Sequence, residues 1–203
     1  MFSTLQRMIA AAMFVMTCFA LPASAQETLR IRGTVESVDG SVYVIKNRDG
    51  AEVKLSVIDP QLYVAIVKAT MADIKPGQFV GATGVTQPDG SQKAIEVHIF
   101  PESMRGTGEG HYDWDLLPKS KMTNANVEQA VTGVDGQTLS VKYKDGEKKI
   151  VIPQDVPIVA LEPGDRALLV PGAKVVLFAH KEADGSMAAN FISAGEHGVT
   201  PPM

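Results

Sequence analysis

From residue 29 onward, apolar and polar side chains alternate with a period of two: I-R-G-T-V-E-S-V, then V-Y-V-I-K, then E-V-K-L-S-V, separated by Asp39-Gly40 and Asp49-Gly50. That period belongs to half-buried strands, and Asp-Gly between two such runs is a strong signal for a tight hairpin. The pattern predicts strands over 31–38, 42–46, 52–57, 79–86 and 92–99. Between the third and fourth, Y-V-A-I-V reads as extended, and T-M-A-D-I as one helical turn capped by Thr70.

The pattern then starts again. K-N-R-D-G at Lys46, I-K-P-G at Ile74 and P-D-G-S at Pro88 return as K-Y-K-D-G at Lys142, L-V-P-G at Leu169 and A-D-G-S at Ala183. Asp39 and Asp49 lie 96 positions before Asp135 and Asp145, whereas Pro76 and Asp89 lie 95 before Pro171 and Asp184, so one deletion relates the copies. P-I-V-A-L and R-A-L-L-V, with Asp165 as the cap, repeat the extended stretch and the helical turn. Three strands in meander, a helical connection and a closing hairpin describe a small barrel of the oligonucleotide/oligosaccharide-binding (OB) type. The fold class expected is all-β, two tandem OB-like barrels joined by an irregular connector; six strands per barrel fit nearly as well as five. The boundaries are 26–100 and 127–195 for the barrels, 101–126 for the connector and 196–203 for a mobile tail. A unit of about 70 residues buries only about 60% of its chain surface, so packing of the copies, or homo-oligomerisation, adds stability. The Asp-Gly pairs sit at hairpin positions and lack the ligand spacing of calcium loops.

The start of the chain changes the address. Arg7, an apolar run from Met8 to Leu21, and Ala23-Ser24-Ala25 have the layout of a secretory signal over 1–25, which places the protein in the periplasm. Cys18, the single cysteine, falls inside that run, behind Thr17 rather than the small residue of a lipid-attachment signal. Cleavage leaves no thiol for disulfides, catalysis or metal binding, and no apolar segment of about 20 residues to span a membrane. It also removes one basic residue, leaving 18 basic against 23 acidic and a net charge of −5, which disfavours nucleic acid as a partner.

Residues 100–126 break the strand pattern with Pro101, Gly106, Gly108, Gly110 and Pro118, and G-E-G-H-Y-D-W-D concentrates chemistry there. One reading joins Glu109, His111, Asp113 and Asp115 with His98, on the outer face of the preceding strand beside Glu96, around a divalent metal ion. The other packs Trp114 and Tyr112 against a barrel flank or a partner, with the charges solvating a strap. His180 and His197 read as solvated. No nucleophile elbow, phosphate loop or H-E-x-x-H spacing is present, and the chain is expected not to be an enzyme.

The run from Gly33 to Gly40, Ile74-Lys75-Pro76-Gly77, and Asp89-Gly90 through Ala94 resemble motifs of a secreted bacterial family of unknown function built from barrel-like units. The second copy fits that pattern less well, with Ala130-Val131-Thr132 in place of the Gly-Thr-Val opening. The stretch from Val97 to Asp115 is similar to the connector of a two-barrel group often labelled as metal-transporter permeases. The resemblance implies barrels and export, and supplies no catalytic residue. The expected function is therefore an exported non-catalytic binding or interaction module, its partner an envelope protein or small ligand held in the groove between the barrels, edged by 100–126. The alternatives are a metal-delivery protein and a structural envelope component.

Overall fold

Alternation produces strands where the pattern places them. The computed structural model describes residues 28–133 and 136–203, with only the backbone for 58–61; the predicted signal, Cys18 and Asp135 lie outside the described residues. The first copy forms β1 (Leu29–Asp39), β2 (Val42–Asn47), β3 (Glu52–Ala69), β4 (Phe79–Thr86) and β5 (Gln92–Ile99). Then come β6 (Gly110–Asp113), β7 (Ser120–Gly133), β8 (Gly136–Tyr143), β9 (Gly146–Ile152), β10 (Ile158–Pro163), β11 (Lys174–Lys181) and β12 (Met187–Gly195). Gly40 takes a φ of +58° in the β1–β2 turn, which a side chain would disfavour. Both predicted helical turns form as single 3-10 turns: Asp73 Oδ2 accepts from Thr70 N and Oγ1, and Asp165 Oδ1 from Ala167 N.

The protein is all-β, with closed five-strand barrels, and the strands that close each barrel come from both copies. One barrel runs β1-β2-β3-β12-β11 and back to β1; the other runs β4-β5-β9-β8-β7 and back to β4. Each copy thus gives its meander to one barrel and its closing hairpin to the other. This corrects the expected units 26–100 and 127–195. The physical cause is the extended stretch after the meander. β3 continues past its own barrel to Ala69, its last third running antiparallel to β10, and β10 runs parallel to β5; the two carry the chain across the seam in opposite directions. The counterpart of β3 is split into β9 and β10 between Pro153 and Pro157, where proline lacks the ladder donor.

Register corrects the alignment of the copies as well. Val35 exchanges backbone hydrogen bonds with Gly172 and Ala173, and Val127 does the same with Gly77 and Gln78. Val127 is therefore the counterpart of Val35, an offset of 92, and the opening Gly33-Thr34-Val35 corresponds to Ala125-Asn126-Val127, not to residues 130–132. The β7–β8 hairpin is longer by four residues, which is why aligning the Asp-Gly pairs misplaces its first strand.

Three apolar cores form among the described residues. Ile45, Leu55, Val175 and Ile192 fill the first barrel, and Val80, Val97, Leu139 and Ile150 the second. The third lies outside both barrels, where Val64, Ile66, Phe79, Phe100, Val159 and Leu161 meet Met203. The tail 196–203, expected to be mobile, is packed: Pro201 and Met203 are buried, and Arg32 Nε donates to the Met203 main-chain oxygen at 2.9 Å. The connector is ordered too, with a 3-10 turn at Glu102–Met104, β6 paired to β7, and β7 beginning at Ser120, inside 101–126. No helix among the described residues is long and apolar enough to cross a membrane.

Candidate functional site

The strap is held by the pairing of His111 with Thr123, Tyr112 with Met122 and Asp113 with Lys121. His111 and Asp113 therefore share one face of β6 and Tyr112 takes the other. His111 Nδ1 lies 2.8 Å from Thr123 Oγ1, which donates to Gln92 Oε1 at 2.5 Å. Burial, with Lys148 and Lys121 nearby, holds the His111 pKa below its ordinary value, Asp113 opposing. Asp113 is itself lowered by its 2.5 Å bond from Lys121 Nζ. Glu109 accepts from the Lys144 backbone N–H at 3.0 Å.

Past β6 the strap reaches the first barrel. Asp115 lies 3.0 Å from Arg30 Nε and 2.8 Å from Arg32 Nη2. Burial pushes its pKa up, but hydrogen bonds from Arg32 and Arg30 and their charges outweigh that and bring it to about 2. The Arg30 guanidinium also lies 3.9 Å from the Trp114 ring centroid, a cation–π contact. Tyr112 meets Trp114 edge-on, and burial raises the Tyr112 pKa against the opposing effect of Arg30.

His98 lies elsewhere. It is on the outer face of β5, as alternation predicts, but that face is covered rather than open, and His98 and Glu96 are 2% and 1% exposed. Glu96 Oε1 accepts from Thr83 N at 2.9 Å and Oγ1 at 2.6 Å, and Oε2 lies 3.0 Å from His98 Nδ1. Phe100 packs edge-on against the His98 ring. Gly81 leaves room for that ring, since a Cβ there would fall 2.1 Å from His98 Nε2 and 2.5 Å from Asn124 Oδ1. Asn124 donates to the Thr107 carbonyl and to Tyr112 Oη, fastening the strap over this layer.

The five predicted metal ligands are thus not brought together. His98 pairs with Glu96, His111 with Thr123, Glu109 with a backbone amide, Asp113 with a lysine and Asp115 with two arginines. Among the described residues no three His, Cys, Asp or Glu side chains converge as a metal-sized group. His180 pairs with Glu182 at 3.0 Å, and His197 is 92% exposed. Sequence reading missed Thr83, Gln92, Thr123 and Asn124, and the repeat offers the signal that finds the first. Thr83 and Glu96 occupy the rung that Phe178 and Phe191 occupy in the other copy, both hairpins sharing the same bulge. There the pair is aromatic, centroids 5.0 Å apart, so the fold itself does not require the buried carboxylate.

A groove of about 560 Å³ lies where the copies meet. Met71, Val156, Ile158 and Val159 supply apolar walls, Lys68 and Asp155 opposite charges. Its rim comes from Val199 and Thr200 of the tail, not from the expected connector. The architecture defines a class, two closed barrels with exchanged hairpins in one chain. No protein-family model, curated protein or solved structure matches this sequence, so the likeness to secreted barrel proteins rests on its motifs.

Proposed function

We propose that the protein is an exported, non-catalytic binding module whose ligand occupies the groove at the seam of the two barrels. The supporting observation is the groove itself: its volume of about 560 Å³ falls among those of small-molecule sites, and its walls are mostly apolar with a few polar groups. Lys68 and Asp155 suit a zwitterionic or peptide-like ligand, one carboxylate answering each ammonium. The partners of Asp113 and Asp115 support reading 108–115 as a strap rather than a metal centre.

The test is native mass spectrometry of the mature chain, beginning at Gln26, with a mixture of free amino acids and tripeptides. A one-to-one adduct is expected, weakened about tenfold or more when Lys68→Ala and Asp155→Ala are combined, the size set by losing charged contacts. An adduct of unchanged strength in that double variant refutes the assignment.

A further inference from the structure

We infer that the first barrel carries a second site, independent of the seam groove, that binds an oxyanion, phosphate or a ligand bearing a phosphate group. The site is a cleft of about 300 Å³ on the outer face of β1, with Arg32, Lys46, Arg48 and Lys174 in its lining and no carboxylate there among the described residues. In a chain with 23 acidic residues and 19 basic ones, four cations line this cleft, and among the described residues Arg32 alone of the four has an ion pair, to Asp115 outside the lining.

Register builds the cleft. Thr34 pairs with Lys46 on one side and Lys174 on the other, so one rung across β2, β1 and β11 presents a hydroxyl between two ammonium groups. Strand spacing puts those lysine backbones about 10 Å apart, a width their side chains close around one anion. Lys174 Nζ already leans in, 2.8 Å from Thr34 Oγ1. Arg48, in the turn after β2, makes no ion pair or hydrogen bond among the described residues. Burial and the neighbouring Arg32 lower its pKa, a sign that like charges face one another there. Glu52 follows Lys46 on the rung, and Asp49 lines the adjoining cleft beyond Arg48; neither lines this one.

Two comparisons within the molecule point to recognition rather than folding. Next to the cleft, Asp115 shows what this flank holds: Arg32 grips both its oxygens, Nη2 at 2.8 Å and Nη1 at 3.3 Å, while Arg30 adds a third contact. The same rung in the second barrel reads Lys142-Asn126-Phe79, and Arg30 and Arg32 become Met122 and Asn124 by the offset of 92. The second barrel keeps Lys142 and Lys144 where the first has Lys46 and Arg48, but it closes with Phe79, Met122 and Asn124 in place of Lys174, Arg30 and Arg32; closure does not require those three cations, and their addition gathers the charge on the first barrel that serves a ligand. Arg32 is committed to Asp115 and Met203 and contributes its field; Lys46, Arg48, Lys174 and the Thr34 hydroxyl remain to contact the anion.

The experiment is calorimetric titration of the mature protein with inorganic phosphate, alongside co-sedimentation with phosphatidylglycerol vesicles and with phosphatidylcholine vesicles as reference. Arg48→Ala combined with Lys174→Ala is the variant, both positions being exposed. Expected is binding that weakens as salt rises and falls about tenfold or more in the double variant, whose thermal midpoint is unchanged. Phosphate binding identifies a soluble anion, and binding to phosphatidylglycerol alone identifies a lipid headgroup; either supports the site. Wild-type protein that binds neither, or a double variant that binds as tightly as wild type, overturns it. Lys68→Ala with Asp155→Ala leaves this binding unchanged, so failure of the seam groove and failure of this cleft are read separately.

Discussion

Asp115→Asn tests whether the strap is fastened to the first barrel through charge. Among the described residues Asp115 is the one carboxylate held by both Arg30 and Arg32, at 3.0 and 2.8 Å, and its pKa stands at about 2 against an ordinary 3.8. Taken at face value, that depression corresponds to about 2.4 kcal/mol of folding stability at neutral pH. The side chain is 46% exposed, so solvent screening reduces the figure to about 1 kcal/mol. Leaving Arg32, only 11% exposed, without its carboxylate and with the Met203 oxygen alone adds to the cost. For a chain of this size about 1 kcal/mol lowers the midpoint by about 2–4 °C.

The sign of the pH dependence follows from the direction of the shift. A depressed carboxylate stabilises the fold above its unfolded pKa and loses that contribution as pH falls through the folded value. The gap between wild type and Asp115→Asn in urea unfolding is therefore full at pH 7 and pH 5. It narrows below pH 3.8 and closes near pH 2. A gap that stays constant from pH 7 to pH 2 would show that the amide acts through packing, and equal stability at pH 7 would show that the ion pair does not hold the strap.

Two further substitutions probe the covered flanks. Glu96→Ala removes the acceptor from Thr83 N, Thr83 Oγ1 and His98 Nδ1, all buried, and is expected to lower unfolding free energy by about 3–5 kcal/mol; a loss below about 1 kcal/mol would mean water replaces the carboxylate. Truncation after Gly198 takes Val199 and Met203 from the third core and the Met203 oxygen from Arg32, costing about 2–4 kcal/mol; an unchanged midpoint in a thermal melt would show that the tail merely rests on the surface.

Strand positions were legible because alternation and turn residues act locally: 79–86 and 92–99 match β4 and β5 residue for residue. The pairing of hairpins across copies was not legible. A hairpin presents the same apolar face to either meander, and period-two patterning specifies which face is buried, not which partner buries it. The longer β7–β8 hairpin was hidden for a related reason, since Asp-Gly marks a turn without counting the residues that lead to it. At the strap, residue types suggested a metal centre because spacing says nothing of counter-charges contributed from afar. Arg30 and Arg32 are more than 80 positions from Asp115, yet they decide what that carboxylate does.

The repeat supplies its own control for which polar groups the architecture needs. A feature present in both copies, such as the Pro-Gly turn that hydrogen-bonds Val35 in one and Val127 in the other, belongs to closing a barrel. A feature present in one copy alone has another cause. The second barrel buries Thr83, Glu96 and His98 where its counterpart packs Phe178 edge-on against Phe191, and the strap covers that polar layer. The first barrel instead adds Arg30, Arg32 and Lys174 to its flank where the second has Met122, Asn124 and Phe79, and the tail covers only part of it. Both barrels close with five strands, so neither set of charges is a cost of closure; the second set lines clefts open to solvent and is the one positioned to meet a ligand.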